Sequence, residues 1–168
     1  MRIGIDIDDT LVSTSESFEK ILKKYNINFN KKFKDKWSEE EKDYIFKNFL
    51  LETLESAKIK ENAKNVINYL SSLGHDLIII TARDNNTCKD IEQKSIQMIK
   101  RENLNINKFY FGQRKKSDIA KHLKLDLMID DNVEVYNNMK LEGIDCVLFG
   151  DKIKNWIDVL EYIKEKEE

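Results

Sequence analysis

Five short apolar runs alternate with stretches of helical spacing, and this alternation leaves few architectures open to the chain. The runs cover residues 2–7, 77–80, 109–111, 125–129 and 146–149. In the first, Ile3, Ile5 and Ile7 alternate with Gly4 and Asp6. In the second, Leu77, Ile78, Ile79 and Ile80 follow one another, as in a strand buried on both faces. Between the runs, Val66, Ile67, Leu70 and Leu73 recur at helical spacing and stop at Gly74, a plausible helix terminator. Ile91, Ser95, Met98 and Ile99 repeat the rhythm, as do Ile119 and Leu123. Across residues 153–163, Trp156, Ile157, Leu160 and Ile163 share one face. Strands alternating with helices imply βαβ units and a parallel sheet.

The connection after the first run breaks the rhythm. Residues 13–60 hold no strand candidate. Phe18, Ile21, Leu22 and Tyr25 mark one helix, and Ser38 with Glu41 forms a capping box that opens another through Ile45, Phe46, Phe49 and Leu50. The expected fold is α/β: a three-layer parallel-sheet core from residues 1–12 and 61–168, with a small helical cap, residues 13–60, inserted after the first strand.

Composition excludes several classes. At 168 residues the chain makes one domain with a small insertion. Its 29 Lys and Arg nearly cancel 31 Asp and Glu, and the sequence pI is about 5.8, against the basic balance of a protein that binds polymeric nucleic acid. No apolar run approaches a membrane span. The opening residues reach an acid by Asp6, unlike a signal peptide. Two Cys and two unclustered His fit a reduced cytoplasmic protein better than a disulfide framework or a zinc site.

The chemistry concentrates where strands end. Asp6, Asp8 and Asp9 close the first run, and the chain turns there, so Asp6 and Asp8 can face one pocket beyond the sheet. Two carboxylates so placed repel unless a cation lies between them, and Mg²⁺, a hard oxygen-seeking ion, suits that position. Thr81, Ala82 and Arg83 follow the second run, Lys115 and Lys116 open a later helix, and Asp130 and Asp131 follow Ile129. In a parallel sheet these ends share one rim. Each group also has a bland alternative: an acid-rich loop for Asp6 and Asp8, a helix cap for Thr81 or for Asp130 and Asp131, and a solvated surface lysine for Lys116.

Taken in order, Asp6-x-Asp8-x-Thr10, Thr81, Lys116 and Asp130-Asp131 resemble the four motifs of the haloacid dehalogenase-like (HAD) phosphatase superfamily, whose core is Rossmann-like. The resemblance implies that Asp6 is the nucleophile that forms an aspartyl-phosphate, and that Asp8 is the acid and base. It implies Mg²⁺ held by Asp6, the backbone carbonyl of Asp8 and Asp131, with Asp130 beside them. Thr81 and Lys116 would hold phosphoryl oxygens, with Lys115 and Lys121 the competitors for the lysine role. The second acid points to phosphoester chemistry, since a halide leaving group needs no proton.

The chain is also similar to the small bacterial nucleotidase-like branch related to 5′(3′)-deoxyribonucleotidases. That similarity implies a nucleotide-like phosphorylated metabolite as substrate, with Phe18, Phe33, Trp37 and Tyr44 available for base stacking and Ala82, Arg83 and Lys36 near a phosphate or sugar. At their helical positions Phe18 and Tyr44 fit cap core better than stacking, whereas Phe33 and Trp37, in the polar linker, suit either role equally. A sugar-phosphate or other small-metabolite phosphatase is the alternative enzyme, and a receiver-like phosphoacceptor or binding module the alternative outside catalysis. A monomer or homodimer without membrane association is expected.

Overall fold

A computed structural model describes residues 1–27, 38–106 and 108–168. Phe33, Lys36 and Trp37, named above as substrate contacts, lie outside the described residues. Five strands occur among the described residues: β1 (Arg2–Ile5), β2 (Asp76–Ile80), β3 (Lys108–Tyr110), β4 (Leu127–Asp130) and β5 (Asp145–Leu148). Seven helices join them: α1 (Thr14–Lys24), α2 (Glu39–Ser56), α3 (Ala63–Ser72), α4 (Ile91–Arg101), α5 (Lys116–Leu123), α6 (Val133–Leu141) and α7 (Trp156–Glu167).

The strands form one parallel sheet in the order β3-β2-β1-β4-β5. β1 is therefore central, with Ile3 opposite both Leu77 and Leu127. The chain moves outward from β1 through β2 to β3, then returns to place β4 on the other side of β1. The order thus reverses between β1 and β4, and ligands of open α/β sheets bind in the crevice beyond the strand ends at such a point.

Alternation along the strands supplies both faces. Ile78, Ile80, Met128 and Cys146 turn to one face and pack with Ala120 of α5, Met139 of α6, Leu125 and Ile144. Ile3, Ile5, Leu77 and Ile79 alternate to the opposite face and are also buried. Gly4 lets the first layer close over β1. A Cβ there would lie 2.7 Å from Leu125 Cδ1 and 2.7 Å from Met128 Sδ.

The chain folds as two compact units, one of residues 1–12 with 59–168 and the other of residues 13–58. The second unit is a helical pair. Phe18 of α1 and Ile45 of α2 form its buried centre, with Leu22 and Leu50 packed against them. Ser17 Oγ donates to the Thr53 carbonyl at 2.8 Å, and Lys24 Nζ reaches Glu52 at 2.6 Å. The Ser38–Glu41 capping box is present in both directions. Of the aromatics considered for stacking, Phe18 is buried, whereas Tyr44 is exposed and makes a T-shaped contact with Phe49, ring centroids 5.9 Å apart.

Local boundaries shift where capping decides them. The last helix starts at Trp156 and not at Ile153, because the Asn155 side chain accepts from the N–H groups of Ile157 and Asp158 and caps the helix there. Ile153 instead bridges to Phe149.

Candidate active site

The site is built from the ends of β1, β2 and β4 and the first residue of α5. Asp6 follows β1 directly, and its N–H donates to the Ile129 carbonyl at 3.0 Å, which continues the ladder and aims its side chain over the crevice between β1 and β4. The chain then turns sharply. Asp9 adopts φ +57°, a conformation that Asp tolerates better than most residues, and the N–H groups of Leu11 and Val12 both donate to the Ile7 carbonyl. Thr10 ties this turn to the end of β4, its hydroxyl lying 3.4 Å from Asp131 Oδ1, while Trp156 Nε1 donates to the Thr10 carbonyl at 3.1 Å.

Lys116 stands between two of the acids. As the first residue of α5 it is buried, and its ammonium donates to Asp6 Oδ1 and to Asp130 Oδ2, both at 2.6 Å. Lys115 is exposed and pairs with Asp118, and Lys121 is exposed and pairs with Glu142. Of the three lysines considered, Lys116 alone is brought to the acids.

Asp130 ends β4, and its Oδ1 accepts from the Asn132 N–H at 2.9 Å. Asn132 rather than either aspartate caps α6, accepting from Glu134 and Val135. The capping alternative for Asp130 and Asp131 therefore falls. The same holds for Thr81: α4 begins only at Ile91, and the Thr81 hydroxyl accepts from the Arg83 N–H at 3.2 Å in the turn after β2. Ala82 is half-buried at the bend between them.

Arg83 is buried, and its guanidinium grips Asp8 in bidentate fashion, Nη2 to Oδ1 at 2.7 Å and Nε to Oδ2 at 3.0 Å. Its Nη1 donates to Ser95 Oγ of α4 at 3.0 Å. The sequence signal for this pairing was slight: nothing in the spacing of Asp8, Arg83 and Ser95 announces it. Arg114 lies on the same rim and holds Asp84 and Thr87 at 2.8 and 2.9 Å, which keeps the Asp84 carboxyl down at about 2.

The charges do not balance. One oxygen from each of Asp6, Asp130 and Asp131 falls within 4.8 Å of the others, and among the described residues one ammonium, that of Lys116, serves the set. Burial pushes the Asp6 carboxyl up to about 8; Asp130 and Asp8 add to the rise, and Lys116 opposes it. Burial likewise lifts Asp131 to about 6, with help from Asp130 and Asp9. Lys116 is penalised by the same burial, but Asp6 and Asp130 outweigh it and raise the ammonium above its usual range. An all-carboxylate cluster with surplus negative charge suits a hard divalent cation such as Mg²⁺, and no sulfur or imidazole in the set favours a softer metal. The donors come from Asp6, Asp130 and Asp131, while the carboxylate of Asp8 is turned to Arg83.

No sequence-family model matches the chain, and no curated protein matches it in sequence. Solved structures do match. A hydrolase from Pseudomonas syringae aligns with a TM-score of 0.65 at 14% identity, covering 98% of each chain. A predicted phosphoglycolate phosphatase from Haemophilus somnus aligns at 0.63 and 16% identity, covering 96% of this chain and 97% of that one. A HAD-superfamily hydrolase of subfamily IA from Geobacter sulfurreducens aligns at 0.63 and 9% identity, covering 96% and 95%. At such identities the likeness is one of architecture: the five-stranded parallel sheet and its helices form the Rossmann-like fold found in HAD-superfamily hydrolases.

Proposed function

We propose that the chain is a Mg²⁺-dependent phosphomonoester hydrolase that works through an aspartyl-phosphate on Asp6. The observation that carries this reading is the buried Lys116 ammonium bridging Asp6 and Asp130 at the point where the strand order reverses, with Asp131 within ligating reach. Attack by a carboxylate on a phosphate dianion is repulsive, so a cation already bonded to the nucleophile is what that chemistry needs.

The roles follow from position. An oxygen of Asp6 attacks phosphorus, and the bond from phosphorus to the alcohol oxygen breaks. Asp8 gives its proton to that oxygen, so the alcohol leaves neutral. Water then attacks the phosphoryl group and passes a proton to the Asp8 carboxylate. Inorganic phosphate departs, and both acids return to their starting states. Lys116 neutralises charge on the phosphoryl oxygens as it forms, and the Thr81 hydroxyl orients them. Asp6, Asp130 and Asp131 would hold Mg²⁺, which when bound supplies further positive charge at the phosphoryl group.

For the substrate we favour a nucleoside monophosphate, on the resemblance of the opening Asp-Ile-Asp-Asp-Thr and of Thr81-Ala82-Arg83 to the nucleotidase-like branch. A small phosphorylated acid or sugar is the second reading, favoured by the fold shared with a predicted phosphoglycolate phosphatase. The test is a panel of nucleoside monophosphates, sugar phosphates and 2-phosphoglycolate, assayed with Mg²⁺ and with EDTA. Mg²⁺-dependent release of phosphate supports the reading. Release unaffected by Asp6→Asn, or a stable phospho-form with no turnover, overturns it.

A further inference from the structure

The second acid of the motif is held by an arginine that the reaction as just described does not use. Arg83 is almost completely buried, with 4% of its side chain exposed against 34% for Asp8. Its fork meets both oxygens of Asp8, and its remaining terminal nitrogen is anchored on Ser95, itself buried in α4. The backbone on either side is also pinned, since the Arg83 N–H donates to the Thr81 hydroxyl and its carbonyl accepts from Gly112 at 2.8 Å.

A planar guanidinium that is always charged and fixed at three points holds a carboxylate in one plane and one rotamer. The face that would clamp a phosphate in bidentate fashion is spent on Asp8. We infer that Arg83 is a positioning residue, tethered by Ser95, that aligns Asp8 with the leaving-group oxygen, takes up both its oxygens as the carboxylate left once the proton has gone to the alcohol, and does not bind the phosphoryl group. The inference rests on the proposed reaction, in which Asp8 donates a proton to the departing alcohol.

Leaving groups of different basicity separate this role from phosphate binding. A nitrophenolate departs without help, whereas an alkoxide needs its proton. The experiment compares kcat/KM for p-nitrophenyl phosphate with that for the best alkyl phosphate in the substrate panel, using wild type, Arg83→Ala, Arg83→Lys and Ser95→Ala. The expected result for Arg83→Ala is a fall of about 100-fold on the alkyl ester, mostly in kcat, with the aryl ester close to wild type. Arg83→Lys restores only part of the loss, because an ammonium cannot hold both oxygens. Ser95→Ala keeps the ion pair and gives the same pattern more weakly, which covers the case in which Arg83→Ala does not fold. Adding Arg83→Ala to Asp8→Asn brings no further loss, as expected of a residue acting through Asp8.

Equal losses on both esters, with raised KM and weaker inhibition by inorganic phosphate, would overturn the inference and make Arg83 a phosphate ligand. So would a further drop in the double variant. A wild-type protein that hydrolyses neither ester would overturn the underlying reaction, and the inference with it.

Discussion

Among the described residues, Asp6, Asp130 and Asp131 share one compensating ammonium, and the imbalance is measurable in the metal-free protein. Burial pushes the folded Asp6 carboxyl up from its reference of 3.8 to about 8, so the folded state holds more protons than the unfolded state across that window. Stability of the metal-free protein therefore falls as pH rises from about 4 to about 8. Mg²⁺ competes with those protons, so the rise in Tm on adding it should grow from pH 6 to pH 8. Thermal melts in EDTA and in Mg²⁺ across that range check this, and an increment that does not change with pH contradicts it. Lys116→Met removes the ammonium and leaves two buried acids facing each other. We expect a loss of about 3 kcal/mol near neutral pH, larger at pH 9, where the folded wild type has given up the Asp6 proton and the variant still holds it, together with loss of turnover. Denaturant titration at the two pH values measures the difference.

At the scale of single elements, caps and one glycine do much of the placing. Ser38→Ala opens the capping box of α2 and should cost about 1 kcal/mol, read as a lower urea midpoint in far-UV circular dichroism. Gly4→Ala puts a methyl against Leu125 and Met128, whose side chains can shift but not without repacking, and about 1–3 kcal/mol is expected to be lost. The elements themselves were legible in sequence because their apolar periods are clean: Ile3-Gly4-Ile5 and Leu77–Ile80 read directly as strands. The strand order was not, because nothing local in residues 127–130 says that β4 pairs with β1 and not with β3. The acids of the site could be listed from their places after apolar runs, but their partners could not. Arg83 finds Asp8 across many residues of chain, and that contact exists only once β2 lies beside β1. Asn132 as the cap of α6 was equally hidden, since Asp130, Asp131 and Asn132 are all good caps in isolation.

For the molecule as a whole, the helical unit enters and leaves at one place. Val12 and Ile59 form an antiparallel bridge, and the Lys60 N–H donates to the Leu11 carbonyl, so the two ends of residues 13–58 are adjacent. A chain in which these residues are replaced by an Asn-Gly turn should still fold cooperatively and keep its Mg²⁺-dependent rise in Tm, because none of Asp6, Lys116, Asp130 and Asp131 is removed. Loss of the cooperative melt would show that the insertion is needed to complete the sheet's core. The sheet order also bears on how the chain acquires its shape. β1 comes first in sequence yet lies at the centre, and it has no neighbour until β2 exists and no second neighbour until β4 does. Every inter-strand pairing is parallel and therefore distant in sequence, which makes folding slow for a chain of this length. During synthesis the isoleucines of β1 wait unpaired until β2 is made and paired on one edge only until β4 is, and they are the segment for which a chaperone would compete.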